Sequence, residues 1–149
     1  MPKELLELVL IDLCGRLPYR VMIDYESHIY ILNEIDPACK DIDYITIRIQ
    51  DVKRLMCAKS VIIEDIKPYL RPMSSMTEEE RLEIGKLLKN NKISPYGEVK
   101  ANGVDNLLLA TINGSKILID WLNRKMFDYR GLIPMGLAIE AQEGMYKEE

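Results

Sequence analysis

The stretch Tyr44-Ile45-Thr46-Ile47-Arg48-Ile49 sets three isoleucines in strict alternation with a tyrosine, a threonine and an arginine. Successive side chains of a strand point to opposite faces, so this period of two reads as a half-buried β-strand. Upstream, Val21-Met22-Ile23 and Ile29-Tyr30-Ile31-Leu32 share its enrichment in β-branched and aromatic residues, and Ser60-Val61-Ile62-Ile63 follows downstream. Tyr25-Glu26-Ser27 supplies the first turn, and Asp36-Pro37 opens the second. Connections this short join antiparallel neighbours, so residues 20–63 are expected to form a small curled sheet or barrel of three or four strands.

Helical patterns lie on both sides. Residues 3–14 read as a helix: Pro2 suits the first turn, Glu4 and Glu7 favour the positive end of the helix dipole, and Gly15 is a natural terminator. Leu5, Leu6, Leu8, Val9, Leu10, Ile11 and Leu13 cover more than half of its circumference. Such a helix is covered either by its own core, the reading we favour, or by a partner, which leaves self-association through this helix as the alternative. Downstream, Thr77-Glu78-Glu79-Glu80 is a capping box opening a helix to about Asn90. Ile84, Leu87 and Leu88 form its buried stripe, and Leu82 projects on the opposite side.

Pro68 and Pro72 frame Tyr69-Leu70-Arg71 and exclude regular helix or central strand there, which makes this the linker candidate. The chain then divides into residues 1–72, a helix plus antiparallel sheet, and residues 73–149, mainly helical, with the option that both pack as one domain. Residues 91–103 hold Pro95, Gly97 and Gly103 and read as loop. Leu107-Leu108-Leu109-Ala110-Thr111-Ile112 fits strand or short helix. Asn113-Gly114 fits a hairpin turn or the lead-in to a helix capped by Ser115, and the helix is preferred. The fold class expected is α+β.

Composition narrows the function. With 149 residues, 48% hydrophobic and 30% charged, the chain has the make-up of a folded protein. No apolar run approaches the roughly 20 residues that span a bilayer. The N-terminus lacks the features of a secretory signal, and three cysteines (Cys14, Cys39, Cys57) without a Cys-x-x-Cys pair suit free thiols in a reducing compartment. A cytoplasmic location is expected. The net charge of −4 gives no general affinity for nucleic acid. A local patch of Lys53, Arg54, Lys59, Lys67 and Arg71 is the one basis for an alternative reading as a nucleic-acid binder.

Catalytic equipment is sparse. His28 is the only histidine, which removes multi-histidine metal sites. Asp36, Asp41 and Asp43 lack the order of a calcium loop, and no phosphate-cradling glycine motif occurs. No cofactor is expected, and the chain does not read as an enzyme. The cluster Asp128, Tyr129 and Arg130, beside Trp121 and Phe127, has the composition of an interaction hot spot. The structural alternative, which is preferred, is that Arg130 pins the loop to the body by a two-pronged bond to a carboxylate or to helix C-terminal carbonyls. Leu82, Asp128, Tyr129 and Arg130 are thus the candidate partner-binding residues, for a protein partner the sequence does not identify.

Three blocks carry a resemblance. They are Asp12-Leu13-Cys14-Gly15-Arg16-Leu17-Pro18-Tyr19, the run from Ile63 through Lys67-Pro68-Tyr69-Leu70-Arg71-Pro72 to Glu80, and Asp120-Trp121-Leu122-Asn123 with Phe127-Asp128-Tyr129-Arg130-Gly131-Leu132-Ile133-Pro134. Together they resemble an uncharacterised family of small proteins encoded in prophages and mobile elements of gut anaerobic bacteria. Members often carry a histidine just before the Phe-Asp-Tyr-Arg segment, where this chain has Met126, which argues against a metal or acid–base role there. The resemblance implies a phage-type context and supplies no activity, so no catalytic residue is carried over. The expectation is a non-enzymatic accessory protein acting through protein–protein interaction.

Overall fold

A computed structural model describes residues 2–36, 44–51, 56–90 and 104–146, with backbone alone at 44, 90 and 104–113. The turn at Asp36-Pro37, the acids Asp41 and Asp43, Cys39, Lys53, Arg54 and the loop 91–103 lie outside the described residues, wholly or in part. The fold is α+β. Helix α1 (Lys3–Arg16) leads through a 3-10 turn (Leu17–Tyr19) into strands β1 (Met22–Tyr25), β2 (His28–Ile35), β3 (Tyr44–Gln50) and β4 (Met56–Ile62). A second 3-10 turn (Ile63–Asp65) precedes β5 (Ile66–Leu70); helices α2 (Glu78–Asn90) and α3 (Val104–Arg124) and the short strand β6 (Ile139–Glu140) follow.

The sheet runs β4-β3-β2-β1-β5-β6, antiparallel throughout except for the β5–β6 pair. Glu26 and Ser27, with φ of 51° and 64°, form the two-residue hairpin whose positive-φ backbone matches strand twist. Ile45, Ile47 and Ile49 are buried while Thr46 and Arg48 are exposed, as the alternation requires. Only three residues carry the chain from β4, at one edge, to β5 on the far side of β1. So short a link forces the sheet to curl. The ammonium of Lys59 on β4 accordingly lies 5.3 Å from the ring centre of Tyr25 on β1, although two strands separate them in the order. Leu6, Val9 and Leu13 of α1 enter the same core as Val21, Ile23, Leu32 and the β3 isoleucines, so this helix is covered largely by its own fold.

The linker reading of residues 68–72 is corrected. Ile66–Leu70 is a strand with neighbours on both sides, and it contains Pro68. Leu70 turns its carbonyl towards the β6 side, where Ala141 donates to it at 2.7 Å. Strand alternation aims Pro68, two residues earlier, the same way, and β6 pairs only with Tyr69 and Leu70. The donor that proline lacks therefore faces a place where no ladder partner is needed. Segments either side of residue 72 share one sheet and one core: Met126, Leu132, Leu137 and Ala138 pack with the N-terminal hydrophobic residues.

Two helix boundaries also differ from expectation. Helix α3 starts at Val104 and runs through Asn113-Gly114, so Ser115 caps nothing. Leu107-Leu108-Leu109-Ala110 are strong helix formers and outweigh the roughly 1 kcal/mol that an internal glycine costs. Gly15 does not end α1, which continues to Arg16. Its role is proximity: a Cβ there would lie 3.1 Å from Nδ2 of Asn123, so glycine lets α1 lie close against α3.

Candidate functional site

The three sequence blocks converge on one polar knot. Asp12 and Arg16 are i,i+4 neighbours on the buried side of α1, both fully inaccessible. Arg16 donates from Nε and Nη2 to the Asp12 carboxylate at 2.9 and 3.0 Å, and from Nη2 to the Phe127 carbonyl at 2.7 Å. Arg130 Nε adds a bond to Asp12 Oδ1 at 3.2 Å. The guanidinium groups of Arg16 and Arg130 lie 5.3 and 4.8 Å from the Tyr129 ring centre, and the Tyr129 hydroxyl donates to Asn123 Oδ1 at 2.8 Å. Neither Asp12 nor Arg16 stands out by sequence, yet both fall on the Leu6–Val9–Leu13 stripe, and that placement was the available signal.

Phe127 is set at the centre by the end of α3. The Phe127 amide donates to Leu122 O (3.0 Å) and the Met126 amide to Asn123 O (3.1 Å), a Schellman closure with Met126 in the left-handed position at φ 63°. Glycine usually fills that position, but here a buried methionine side chain anchors it. The Phe127 ring stacks on Trp121, with centres 5.7 Å apart, and the Arg71 guanidinium lies 4.2 Å from the Phe127 ring centre. Arg71 exchanges backbone hydrogen bonds with Met126 and Asp128, joining this turn to the end of β5.

Arg71 also grips Glu80 in a two-pronged bond of 2.7 and 2.8 Å. Glu80 completes the expected capping box: it accepts from the Thr77 amide at 3.1 Å, and Thr77 Oγ1 accepts from the Glu80 amide at 3.1 Å. The bonds from Arg71, with those from Thr77, outweigh desolvation and hold the Glu80 carboxyl down at about 2. A depressed folded-state value means stability is fully present above the ordinary value of 4.5 and is lost as pH falls from there towards 2. The loss is expected to approach about 3 kcal/mol, at about 1.4 kcal/mol for each pH unit between the two values. Urea unfolding midpoints at about pH 5 and pH 3 should therefore diverge much more for the native chain than for Glu80→Gln. Equal divergence would show that this carboxylate is not the one titrating.

The candidate binding residues thus have assignable surroundings. Asp128 is buried, its carboxylate accepting from the amides of Leu132 (2.8 Å) and Ile133 (2.9 Å), and it shapes the turn that follows. Tyr129 and Arg130 belong to the knot. Leu82 is 63% exposed, a lone apolar side chain on α2 of a kind common on protein surfaces. Among the basic residues, Lys59 sits on edge strand β4, Lys67 on β5, and Arg71 is held by Glu80. Lys53 and Arg54 fall outside the described residues.

Positive charge instead gathers from residues the sequence keeps far apart. A cleft of about 820 Å3 is lined by Arg20, Arg71, Arg124 and Lys125 with, among the described residues, a single acid, Glu80. Tyr19 and Tyr146 contribute rings, and Met22, Ile31 and Met145 give it an apolar share. Arg124 lies 5.8 Å from the Tyr19 ring centre, and Lys125 reaches Glu83 at 3.6 Å. Neither Arg20 nor Arg124 makes an ion pair among the described residues. Tyr146 is fixed from behind: its hydroxyl donates to Tyr69 O at 2.7 Å and accepts from the Met22 amide at 2.9 Å. Burial pushes its phenol well above the ordinary range, so it stays a neutral hydrogen-bonding post. No grouping of acidic, histidine and cysteine side chains suited to a metal ion occurs among the described residues. Against family models, curated proteins and solved structures alike, the chain has no match.

Proposed function

We propose that this chain is a non-enzymatic binding module that engages an acidic segment of another protein through the cleft at Tyr19, Arg20, Arg124 and Lys125. One observation carries the reading: two arginines without ion-pair partners among the described residues face a ligand-sized concavity between two tyrosines. Guanidinium groups remain protonated at any working pH, so they suit the holding of anions rather than the shuttling of protons. Arginine and tyrosine are also the residues that dominate binding energy at protein interfaces. This replaces Leu82 and the Asp128–Arg130 cluster as the favoured contact surface, because the latter's side chains are spent on internal bonds.

The test is affinity capture from nuclease-treated lysate of the native host, comparing the native chain with Arg20→Glu/Arg124→Glu. Both positions are exposed, so the variant is expected to unfold at the same urea concentration as the native chain. A partner retained by the native chain and lost by the folded variant supports the reading. Equal capture by both sinks it, as does recovery that disappears with nuclease.

A further inference from the structure

Beside the cationic cleft lies a second of about 800 Å3, and Arg71, Glu80, Met145 and Tyr146 line both. Their charges are opposite. The second cleft brings Glu79, Glu140 and Glu143 to its lining, and among the described residues its only cation is Arg71, already neutralised by Glu80. Glu79, Glu140 and Glu143 are exposed and make no ion pair among the described residues. The shared Arg71–Glu80 pair marks the boundary between a positive and a negative half.

We infer that the two clefts act as one charge-split groove, selecting a peptide segment with an acidic cluster and a basic cluster a few residues apart. This rests on the protein-binding reading above and deepens it. A uniform polyanion such as a nucleic acid gains in the first half and is repelled in the second, whereas a bipolar segment gains in both. Apolar lining from Met22, Ile31 and Met145, with Pro72 and Ala141 in the second half, gives the intervening residues a non-polar surface to cover.

The probes are labelled nonapeptides followed by fluorescence anisotropy at about 50 mM salt, where charge contacts are weakly screened. Asp-Glu-Asp-Gly-Ser-Gly-Lys-Arg-Lys and its reversed order carry the two blocks; a third peptide alternates the same residues; a fourth replaces the basic block by Gly and Ser. One block order is expected to bind about tenfold tighter than the alternating peptide, a difference of charge placement alone. Arg20→Glu/Arg124→Glu and, separately, Glu140→Lys/Glu143→Lys should each erase that preference. Equal binding of block and alternating peptides overturns the inference, as does tighter binding of decathymidylate. If the fourth peptide binds as well as the block peptide and only the arginine variant weakens it, the charge-split groove fails while the cationic cleft stands. If no peptide shows arginine-dependent binding, both fall.

Discussion

Replacing Asp12 by alanine is expected to destabilise the fold by about 3–5 kcal/mol, because it leaves the Arg16 guanidinium buried without its counter-charge. For a chain of this length that lowers the melting temperature by roughly 6–20 °C. Two further bonds go with it, since Arg130 also ends on Asp12 and the orientation of Arg16 towards the Phe127 carbonyl depends on the carboxylate. The informative companion is Asp12→Leu/Arg16→Met, which removes both charges and fills their space with apolar atoms. It should be more stable than Asp12→Ala, yet remain about 1–2 kcal/mol below the native chain, because the Phe127 carbonyl keeps the Tyr129 amide at 3.1 Å but loses its charged donor. Urea unfolding followed by the fluorescence of Trp121, the only tryptophan, reads all three proteins. A loss of under about 1 kcal/mol in Asp12→Ala would mean that water reaches the pair.

Phe127→Ala is expected to cost a similar amount, about 3–5 kcal/mol, by a different route. The ring is fully buried between Trp121 on one hand and the Arg71 guanidinium on the other, and neither neighbour can close the gap without giving up a second contact. Arg71 is tied to Glu80, and Trp121 is held by the α2 residues Ile84 and Leu87 in the same cluster. The cavity should therefore persist, and Trp121 emission should shift to the red even below the unfolding transition. Phe127→Leu, which keeps most of the volume, should recover more than half of the loss. An unshifted emission in a destabilised Phe127→Ala would point to collapse of the site.

Local pattern explains what could be read from the chain. The alternating isoleucines of β3, the α1 stripe and the Thr77–Glu80 capping box are each written within about a dozen residues, and each formed as its pattern implies. The errors came where tertiary context overrides a local rule. Pro68 is tolerated inside a sheet because its missing donor falls beyond the reach of a two-residue neighbour, which only the register reveals. The helix expected to begin at Ser115 begins at Val104, because the leucine-rich run before Asn113-Gly114 carries it through the glycine. The knot was half legible: opposite charges at 12 and 16 lie on an apolar stripe, whereas their third partner, a backbone carbonyl, has no sequence signature. The cleft was not legible at all. Arg20 meets Arg124 and Lys125, themselves adjacent in sequence, only through the packing of two separate elements.

Arg16 and the Phe127 carbonyl are 111 positions apart, so their bond gives the molecule a timetable. Ribosomes add roughly 5–20 residues per second, which places Phe127 roughly 6–22 s behind Arg16 on the growing chain. Throughout that interval α1 carries a hydrated ion pair on the stripe it will later bury, and water competes for the docking face of the helix. The bond that closes over the pair can therefore form only once residue 127 has been made.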